Sequence, residues 1–101
     1  MTTRTIQLRR YRLHTEMFQD FVDWFRDELL PAKVGYGYHL EFAYADEENS
    51  PITWAVSLPG DAAGFDEFDE HWNLSPERAE VFEGQPQRIA EKWITYVDSI
   101  A

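Results

Sequence analysis

The spacing of the apolar residues changes along this 101-residue chain, and the changes limit the folds that it can adopt. Residues 5–13 alternate as in a β-strand, and residues 16–30 repeat apolar side chains every three or four positions, as in a helix. Apolar and polar residues alternate again over residues 36–45 and 52–58, and a second helical pattern begins at residue 65. The sequence therefore predicts strand, helix, strand, strand and helix in a single domain, residues 1–101.

The helical pattern of residues 16–30 is the strongest local signal. Its apolar face carries residues at i, i+3, i+4, i+7 and i+11, namely Phe18, Phe21, Val22, Phe25 and Leu29. Thr15 is the predicted N-cap. Pro31 is predicted to end the helix, because proline disfavours the α conformation of the residue before it.

Two alternating segments flank the polar turn DEENSP at 46–51, which predicts an antiparallel hairpin. The first segment, Tyr36 to Ala45, would place on one face Tyr36, Tyr38, Leu40, Phe42 and Tyr44, and on the other Gly37, His39, Glu41 and Ala43. In the second segment, Ile52, Trp54, Val56 and Leu58 alternate with Thr53, Ala55 and Ser57. The pattern leaves open which face of the first segment meets the helices.

The C-terminal third predicts a helix from the spacing of Phe65, Phe68 and Trp72, followed by a short helix with Ser75 as N-cap and Gly84 as its stop. The tail fits two structures. Its apolar spacing at Ile89, Trp93, Val97 and Ile100 favours a helix, whereas residues 94–97 are β-formers.

With a final strand, the order becomes β-α-β-β-α-β, the ferredoxin-like arrangement of the α+β class with a four-stranded antiparallel sheet. One face of such a sheet packs on the helices and the other is bare. A bare face rich in apolar groups avoids water by pairing with a second copy. The aromatic content of 16% suits this expectation of a homodimer.

Charge and composition exclude several classes of function. The net charge of -10, from 19 acids and 9 bases, disfavours nucleic acids and anionic membranes as partners. The absence of cysteine excludes disulfides and thiolate chemistry. The chain shows no signal-peptide pattern and no apolar run of membrane-spanning length, so a cytoplasmic protein is expected.

The opening strand, IQLRRYRL, resembles that of NIPSNAP-family proteins, whose pattern is roughly aromatic-Glu-Leu-Arg-x-Tyr-x-Leu. The positions of that pattern are filled here by Gln7, Leu8, Arg9, Tyr11 and Leu13, with Gln7 in place of Glu. The resemblance continues through Leu30-Pro31, Gly37-Tyr38 and Ser75-Pro76-Glu77. It implies the dimeric α+β barrel fold, in which two ferredoxin-like subunits pair their sheets, and a final strand near residues 93–100.

The same resemblance implies three classes of function. The wider superfamily includes cofactor-free oxygenases, isomerases and lyases, which predicts an enzyme acting on a small apolar or aromatic molecule in the barrel. A non-catalytic dimeric binding or interaction protein is the alternative, and a heme-binding or heme-degrading variant is the third. Fold alone does not choose among them.

Arg9 and Tyr11 are the first candidate catalytic residues, and they share a strand face with Gln7, a candidate ligand contact. If Ile6 and Leu8 face the helices, this trio faces the barrel interior. A buried arginine requires an anionic partner. Arg9 would therefore orient a carboxylate or enolate, or pair with Glu41 or with an acid across the dimer.

The remaining candidates are weaker. His39, a candidate catalytic residue, lies two positions from Glu41 and could form an acid/base pair with it, although an ordinary polar face has the same pattern. Trp54 would line the cavity or fill the core. In heme-degrading relatives a histidine on the second helix binds iron, but His71 lies one position off the apolar stripe. Neither a metal site nor a bound cofactor is predicted.

Overall fold

A computed structural model describes residues 3–14, 16–49 and 51–100. The four strands are β1 (Arg4–Leu13), β2 (His39–Ala45), β3 (Pro51–Pro59) and β4 (Ile89–Val97). The helices are α1 (Phe18–Trp24), a π-helical segment (Phe25–Leu29), α2 (Leu30–Tyr36), α3 (Ala62–Asn73) and α4 (Pro76–Phe82). No helix in the described ranges is long and apolar enough to cross a membrane.

The strands form one antiparallel sheet in the order β2-β3-β1-β4. The predicted ferredoxin-like fold and the hairpin of β2 and β3 are confirmed. The strand implied for the tail is also confirmed, whereas the helical periodicity of the tail is misleading. β4 is an edge strand with most of its residues exposed, so burial does not impose a clean two-residue alternation on its sequence.

Pro31 does not end the first helix, contrary to the prediction. The backbone widens into a π turn over Phe25–Leu29, where the amide of Leu30 donates to the carbonyl of Phe25, and the helix continues to Tyr36. Pro31 then lies at the start of α2, where a missing N–H is tolerated. Thr15, the predicted N-cap, lies outside the described residues, and Met17 occupies the N-cap position of α1.

The predicted faces of the second strand are wrong for two reasons. Tyr36 belongs to α2, and β2 begins only at His39. A β-bulge then shifts the register, since Leu40 pairs with Val56 but Phe42 pairs with Ala55. Leu40 and Ala43 therefore pack on the core, while Phe42 and Tyr44 stack on the opposite face with ring centroids 5.4 Å apart.

The two faces of β1 are also the reverse of the expectation. The cross-strand partners of Gln7, Arg9 and Tyr11 are core residues of β3, namely Val56, Trp54 and Ile52. Tyr11 makes edge contacts with Phe21 and Trp54 beneath the first helix. Ile6 and Leu8 therefore lie on the open face of the sheet. The polar trio lies on the helix-covered face, where it becomes part of the core.

Aromatic side chains fill the space between the sheet and the helices. The largest of those that are almost fully buried are Trp54, Trp72, Phe21 and Phe65. The predicted helix stripes are confirmed, because both stripes contribute to this core. This packing holds α2, α3 and α4 over one side of β1, and it forms the walls of the cavity described below.

The open face of the sheet is close to neutral in an otherwise acidic chain. Its ionisable side chains on β1, β2 and β4 include three arginines and two glutamates. Two ion pairs form among them, Arg4 with Glu41 at 3.3 Å and Arg12 with Glu91. The third arginine, Arg10, precedes Arg12 by two positions on the same face of β1. Between these charged groups lie apolar side chains with exposed or half-buried surface, namely Ile6, Leu8, Phe42, Tyr44, Trp93 and Val97.

Candidate ligand-binding cavity

A cavity of about 410 Å³ lies between the helix-covered face of the sheet and the helices α2, α3 and α4. Its volume is in the range of small-molecule pockets in proteins. The lining residues are Arg9, Tyr11, Leu29, Lys33, Trp54, Asp69, Trp72, Asn73, Arg78, Phe82, Lys92 and Ile94. The walls are thus mainly aromatic and aliphatic, with a group of charged side chains among them.

The charge of this cavity is opposite to that of the protein. Four of the nine basic residues of the chain line it, namely Arg9, Lys33, Arg78 and Lys92. Within the described part of the chain, the acidic lining comprises Asp69 alone. Positive charge concentrated among apolar walls attracts anions, because the low-dielectric surroundings weaken its screening.

Arg9 is held in place mainly by neutral groups. Its Nε donates to Gln7 Oε1 at 2.7 Å, and its Nη1 donates to the Tyr11 hydroxyl at 3.0 Å. The guanidinium also lies over the Trp54 ring, 5.5 Å from the centroid. The acid that faces it is Asp69, with 3.8 Å between Nη2 and Oδ2, too far for a hydrogen bond. Arg9 therefore keeps donor capacity for a ligand.

Lys33 is the most buried charged residue of the cavity, with 4% of its surface exposed. Its ammonium faces three aromatic rings, at 4.7 Å from the Tyr38 centroid, 4.9 Å from Trp54 and 5.7 Å from Trp72. The ring faces stabilise the cation. Among the described residues, its side chain forms neither an ion pair nor a hydrogen bond. The ring contacts therefore offset only part of the free-energy cost of burying the ammonium.

Burial, followed by the charge of Arg9, lowers the pKa of Lys33 to about 7, and Asp69 opposes this shift. Lys33 is thus divided between ammonium and amine near neutral pH. The hydroxyl of Tyr38 donates to Asp69 Oδ1 at 2.6 Å. Burial and this bond raise the pKa of Tyr38 far above its usual value, so the phenol stays protonated.

The other two basic residues come from α4 and β4. Ser75 caps α4, accepting from the Arg78 amide at 3.1 Å and donating to the Trp72 carbonyl at 2.7 Å. This cap fixes the first turn of α4, from which Arg78 extends over the Phe82 ring, 4.2 Å from its centroid. Lys92 is the β4 partner of Tyr11 and reaches the cavity from the sheet edge.

One buried donor in the cavity wall has no partner. The Trp54 indole nitrogen makes no hydrogen bond in the described structure, although the side chain is fully buried. Buried N–H groups are paired in most proteins, with protein, water or ligand. The protein itself therefore leaves the hydrogen-bonding capacity of this group unused.

The structure places the predicted site residues in three different regions. Arg9, Tyr11 and Trp54 line the cavity, and Gln7 supports Arg9 from behind. The pairing of Arg9 with Glu41 is wrong, because Glu41 lies on the open face. There it bonds to Ser57 and Arg4 and lies 3.9 Å from His39, which is exposed.

His71 is exposed on α3 and does not line the cavity. Within the described residues, no group of three or more histidine, aspartate or glutamate side chains could hold a metal ion. Among the described residues, His71 therefore belongs to no such group of potential metal ligands.

Lys33, Asp69, Arg78 and Lys92 were not predicted from the sequence. A signal did exist for Lys33, because it follows Leu29 by four positions and continues the apolar stripe once Pro31 is allowed inside the helix. Asp69 lies on α3 beside the stripe of Phe68 and Trp72 and resembles a solvated acid. Arg78 and Lys92 had no distinguishing local pattern.

A second large cavity, about 610 Å³, opens between α1 and α4 and is lined mainly by acids. Its one base, Arg88, is already engaged by Asp20 at 2.6 Å and by Gln85 at 2.7 Å. This open acidic groove has the character of solvated surface, whereas the cavity around Lys33 combines burial, opposite charge and unpaired donors.

Comparison with solved structures identifies the fold. A NIPSNAP domain protein from Burkholderia xenovorans aligns over 96% of this chain and 95% of its own, with a TM-score of 0.78 and 13% identity. A NIPSNAP family protein from Agrobacterium tumefaciens aligns over 94% and 91%, with a TM-score of 0.81 and 10% identity. The chain has the fold of the NIPSNAP domain proteins. The resemblance drawn from the opening strand is thereby confirmed at the level of the fold.

A more distant structure with the same architecture is a protein from Nitrosomonas europaea provisionally assigned as an antibiotic biosynthesis monooxygenase. It aligns over 99% of this chain and 93% of its own, with a TM-score of 0.67 and 7% identity. No family model and no curated protein matches the sequence. At these identities, the likeness describes the NIPSNAP-type fold, and the function is argued from the cavity.

Proposed function

We propose that the protein binds a small organic carboxylate with an apolar or aromatic body in the cavity between its sheet and helices. The observation that carries this proposal is the gathering of four of nine basic residues around one aromatic-walled cavity in a chain of net charge -10. A random distribution of so few bases would leave them dispersed among the acids of the surface.

The geometry supports an anionic group at one end of the ligand and an apolar group at the other. Arg9 and Arg78 offer guanidinium donors, which suit a carboxylate. Trp72, Phe82 and Leu29 offer apolar contact for the rest of the molecule. The carboxylate replaces the interaction that Asp69 makes only loosely with Arg9.

The reaction class that suits this site is a cofactor-free isomerisation, lyase reaction or oxygenation of such a ligand. Each begins with negative charge developing next to a carbonyl or carboxylate, and fixed cations stabilise that charge. Arg9 and Tyr11 remain the predicted catalytic contacts. His39 is proposed no longer, because it lies on the opposite face of the sheet. A heme function through His71 is not proposed, since that side chain lies outside the cavity.

Binding of phenylacetate, measured by calorimetry and by quenching of tryptophan fluorescence, tests the proposal. The neutral isostere phenylacetamide is the ligand control. We expect the carboxylate to bind at least about tenfold more tightly, a difference of roughly 1.4 kcal/mol. Equal binding of the two, or failure of both to bind, would contradict the proposal.

The matched variants are Arg9→Gln inside the cavity and Arg26→Gln outside it. Arg26 is exposed on the first helix, where it pairs with Asp23 and Asp27. Arg9→Gln is expected to lower phenylacetate affinity about tenfold or more, as for the loss of a charged hydrogen bond. Arg26→Gln is expected to leave it unchanged.

We further propose that the protein acts as a homodimer through the open face of its sheet, so that the cavities face outward from the interface. Support comes from the near neutrality of that face, which lets two identical acidic chains approach there without strong repulsion. Trp93, which is 52% exposed, and its apolar neighbours supply the surface to be buried.

A further inference from the structure

The side chain of Lys33 is unusual for a structural lysine. Buried lysines that serve the fold are paired with a carboxylate, because an unpaired buried charge is costly. Lys33 has instead three ring faces around its nitrogen and two arginines, Arg9 and Arg78, lining the same cavity. Burial and the charge of Arg9 outweigh the stabilisation by the rings and disfavour the ammonium. They leave an amine at the wall of a cavity of ligand size.

We propose that Lys33 is a reactive amine that condenses with the carbonyl group of a 2-oxo acid held in the cavity, forming an imine. This inference rests on the proposed function, since the carboxylate of the oxo acid occupies the cationic site there. It narrows the ligand class from carboxylates in general to those with an adjacent ketone or aldehyde.

The condensation is balanced without any further reagent. The nitrogen lone pair of the neutral amine forms a bond to the carbonyl carbon, and the carbonyl electron pair moves to oxygen, which receives a proton from the nitrogen. The resulting carbinolamine loses this oxygen as water with the second nitrogen-bound hydrogen, leaving a C=N double bond. No group is oxidised or reduced, so neither an oxidant nor a metal is required.

The groups around Lys33 favour the successive stages of imine formation. The lowered pKa of Lys33 makes a large share of the amine neutral near pH 7, and only the neutral form attacks. Asp69, the acid of the cavity, can accept and return a proton while Tyr38 holds it in place. Protonation of the imine restores a cation at the position that the three ring faces stabilise.

The small number of lysines in the chain simplifies the test. Its only lysines are Lys33 and Lys92, so the candidate amine and one internal reference can be compared in a single digest. The full-length protein is incubated with glyoxylate or phenylpyruvate in the presence of cyanoborohydride, which reduces an imine to a stable secondary amine. Intact mass counts the adducts, and peptide mapping locates them.

We expect the reduced adduct at Lys33 to form at least about tenfold faster than that at Lys92 near pH 7, because burial leaves a large share of the Lys33 amine neutral there. The trapping rate at Lys33 should rise with pH and level off above about 7 to 8, following its own titration. Phenylacetate, which has no ketone or aldehyde to condense with the amine, should slow trapping by competition. Lys33→Met should abolish this adduct and leave that of Lys92.

An absence of adduct at Lys33 with both probes, or labelling no faster than at Lys92, would overturn the inference. The measurement is made on the unmodified protein, so it does not depend on whether Lys33→Met folds. Failure here is distinguishable from failure of the proposed function. If phenylacetate binds and no adduct forms, the carboxylate site stands and the imine is refuted, whereas absence of both binding and adduct refutes the two together.

Discussion

The Arg9 guanidinium lies 3.8 Å from the Asp69 carboxylate, beyond hydrogen-bond distance, while Asp69 accepts a 2.6 Å bond from Tyr38. Asp69 therefore moderates the positive charge of the cavity without neutralising it. Because it also raises the pKa of Lys33, it connects anion binding with the protonation of the amine.

Asp69→Asn should strengthen carboxylate binding. The substitution keeps an acceptor for Tyr38 but removes the negative charge, so phenylacetate affinity is expected to rise about fivefold, roughly 1 kcal/mol at the effective dielectric of a protein site. The pKa of Lys33 should fall further, because Asp69 raises it. Calorimetry measures the first effect, and the pH dependence of amine trapping measures the second. Weaker phenylacetate binding would show that Asp69 itself contacts the ligand.

Lys33 should make stability depend on pH in a defined direction. Its folded-state pKa of about 7 is below that of an unfolded lysine, about 10.4, so the unfolded state binds more protons between these values. The contribution of Lys33 to the free energy of unfolding therefore rises with pH through this window, by up to about 1.4 kcal/mol per unit.

Lys33→Met isolates this contribution, because methionine has a similar length and does not titrate. The variant is expected to be more stable than the original chain below about pH 7, and its advantage should shrink as pH rises towards about 10. Urea unfolding of both proteins across this range measures the difference. An advantage that does not change with pH would show that the Lys33 pKa is not lowered.

The two glycines around the end of α2 offer a matched pair of substitutions. Gly37 has φ of 135°, and an added Cβ would lie 3.0 Å from the Phe68 ring, whereas Gly35 is helical with open space around it. Gly37→Ala should destabilise the fold by roughly 1–3 kcal/mol, and Gly35→Ala should stabilise it by up to about 1 kcal/mol. Thermal unfolding of the two variants compares them. Equal effects would show that the turn into β2 is not strained.

The sequence predicted the first three strands, both helix stripes and the hairpin from local periodicity that burial enforces. The fourth strand followed only from the family resemblance, because the periodicity of the tail favoured a helix. The sequence did not predict the continuation of the helix past Pro31, because the π turn before the proline, whose Phe25 and Leu29 are buried in the core, left no local signal in the sequence. The bulge at Glu41 left no local signal either, and it places Phe42 and Tyr44 on the face opposite Leu40.

Three of the predicted site residues, Arg9, Tyr11 and Trp54, line the cavity. The prediction had placed Arg9 and Tyr11 in the barrel interior, on the other side of the sheet. Three further lining residues, Lys33, Asp69 and Arg78, lie on three different helices. They line one cavity only because those helices pack side by side over the sheet. Assigning Ile6 and Leu8 to the core was reasonable from hydrophobicity. In the structure the polar trio is the buried face, where Gln7 and Tyr11 each accept one hydrogen bond from Arg9.

Trp93→Glu should dissociate the proposed dimer. Trp93 lies beside Arg10 on the open sheet face, and a glutamate there would replace a large exposed apolar side chain of the proposed contact with a charge. Leu74→Glu is the matched control, because Leu74 is 80% exposed in the loop between α3 and α4, on the helix side of the molecule.

Light scattering after size-exclusion chromatography measures the mass of each protein in solution and so tests for the dimer. We expect the original chain and Leu74→Glu to elute as dimers and Trp93→Glu as a folded monomer with unchanged helical circular dichroism. The monomer should still bind phenylacetate, because the residues that line the cavity belong to a single chain. A monomeric original chain would refute the dimer and leave the carboxylate site unaffected.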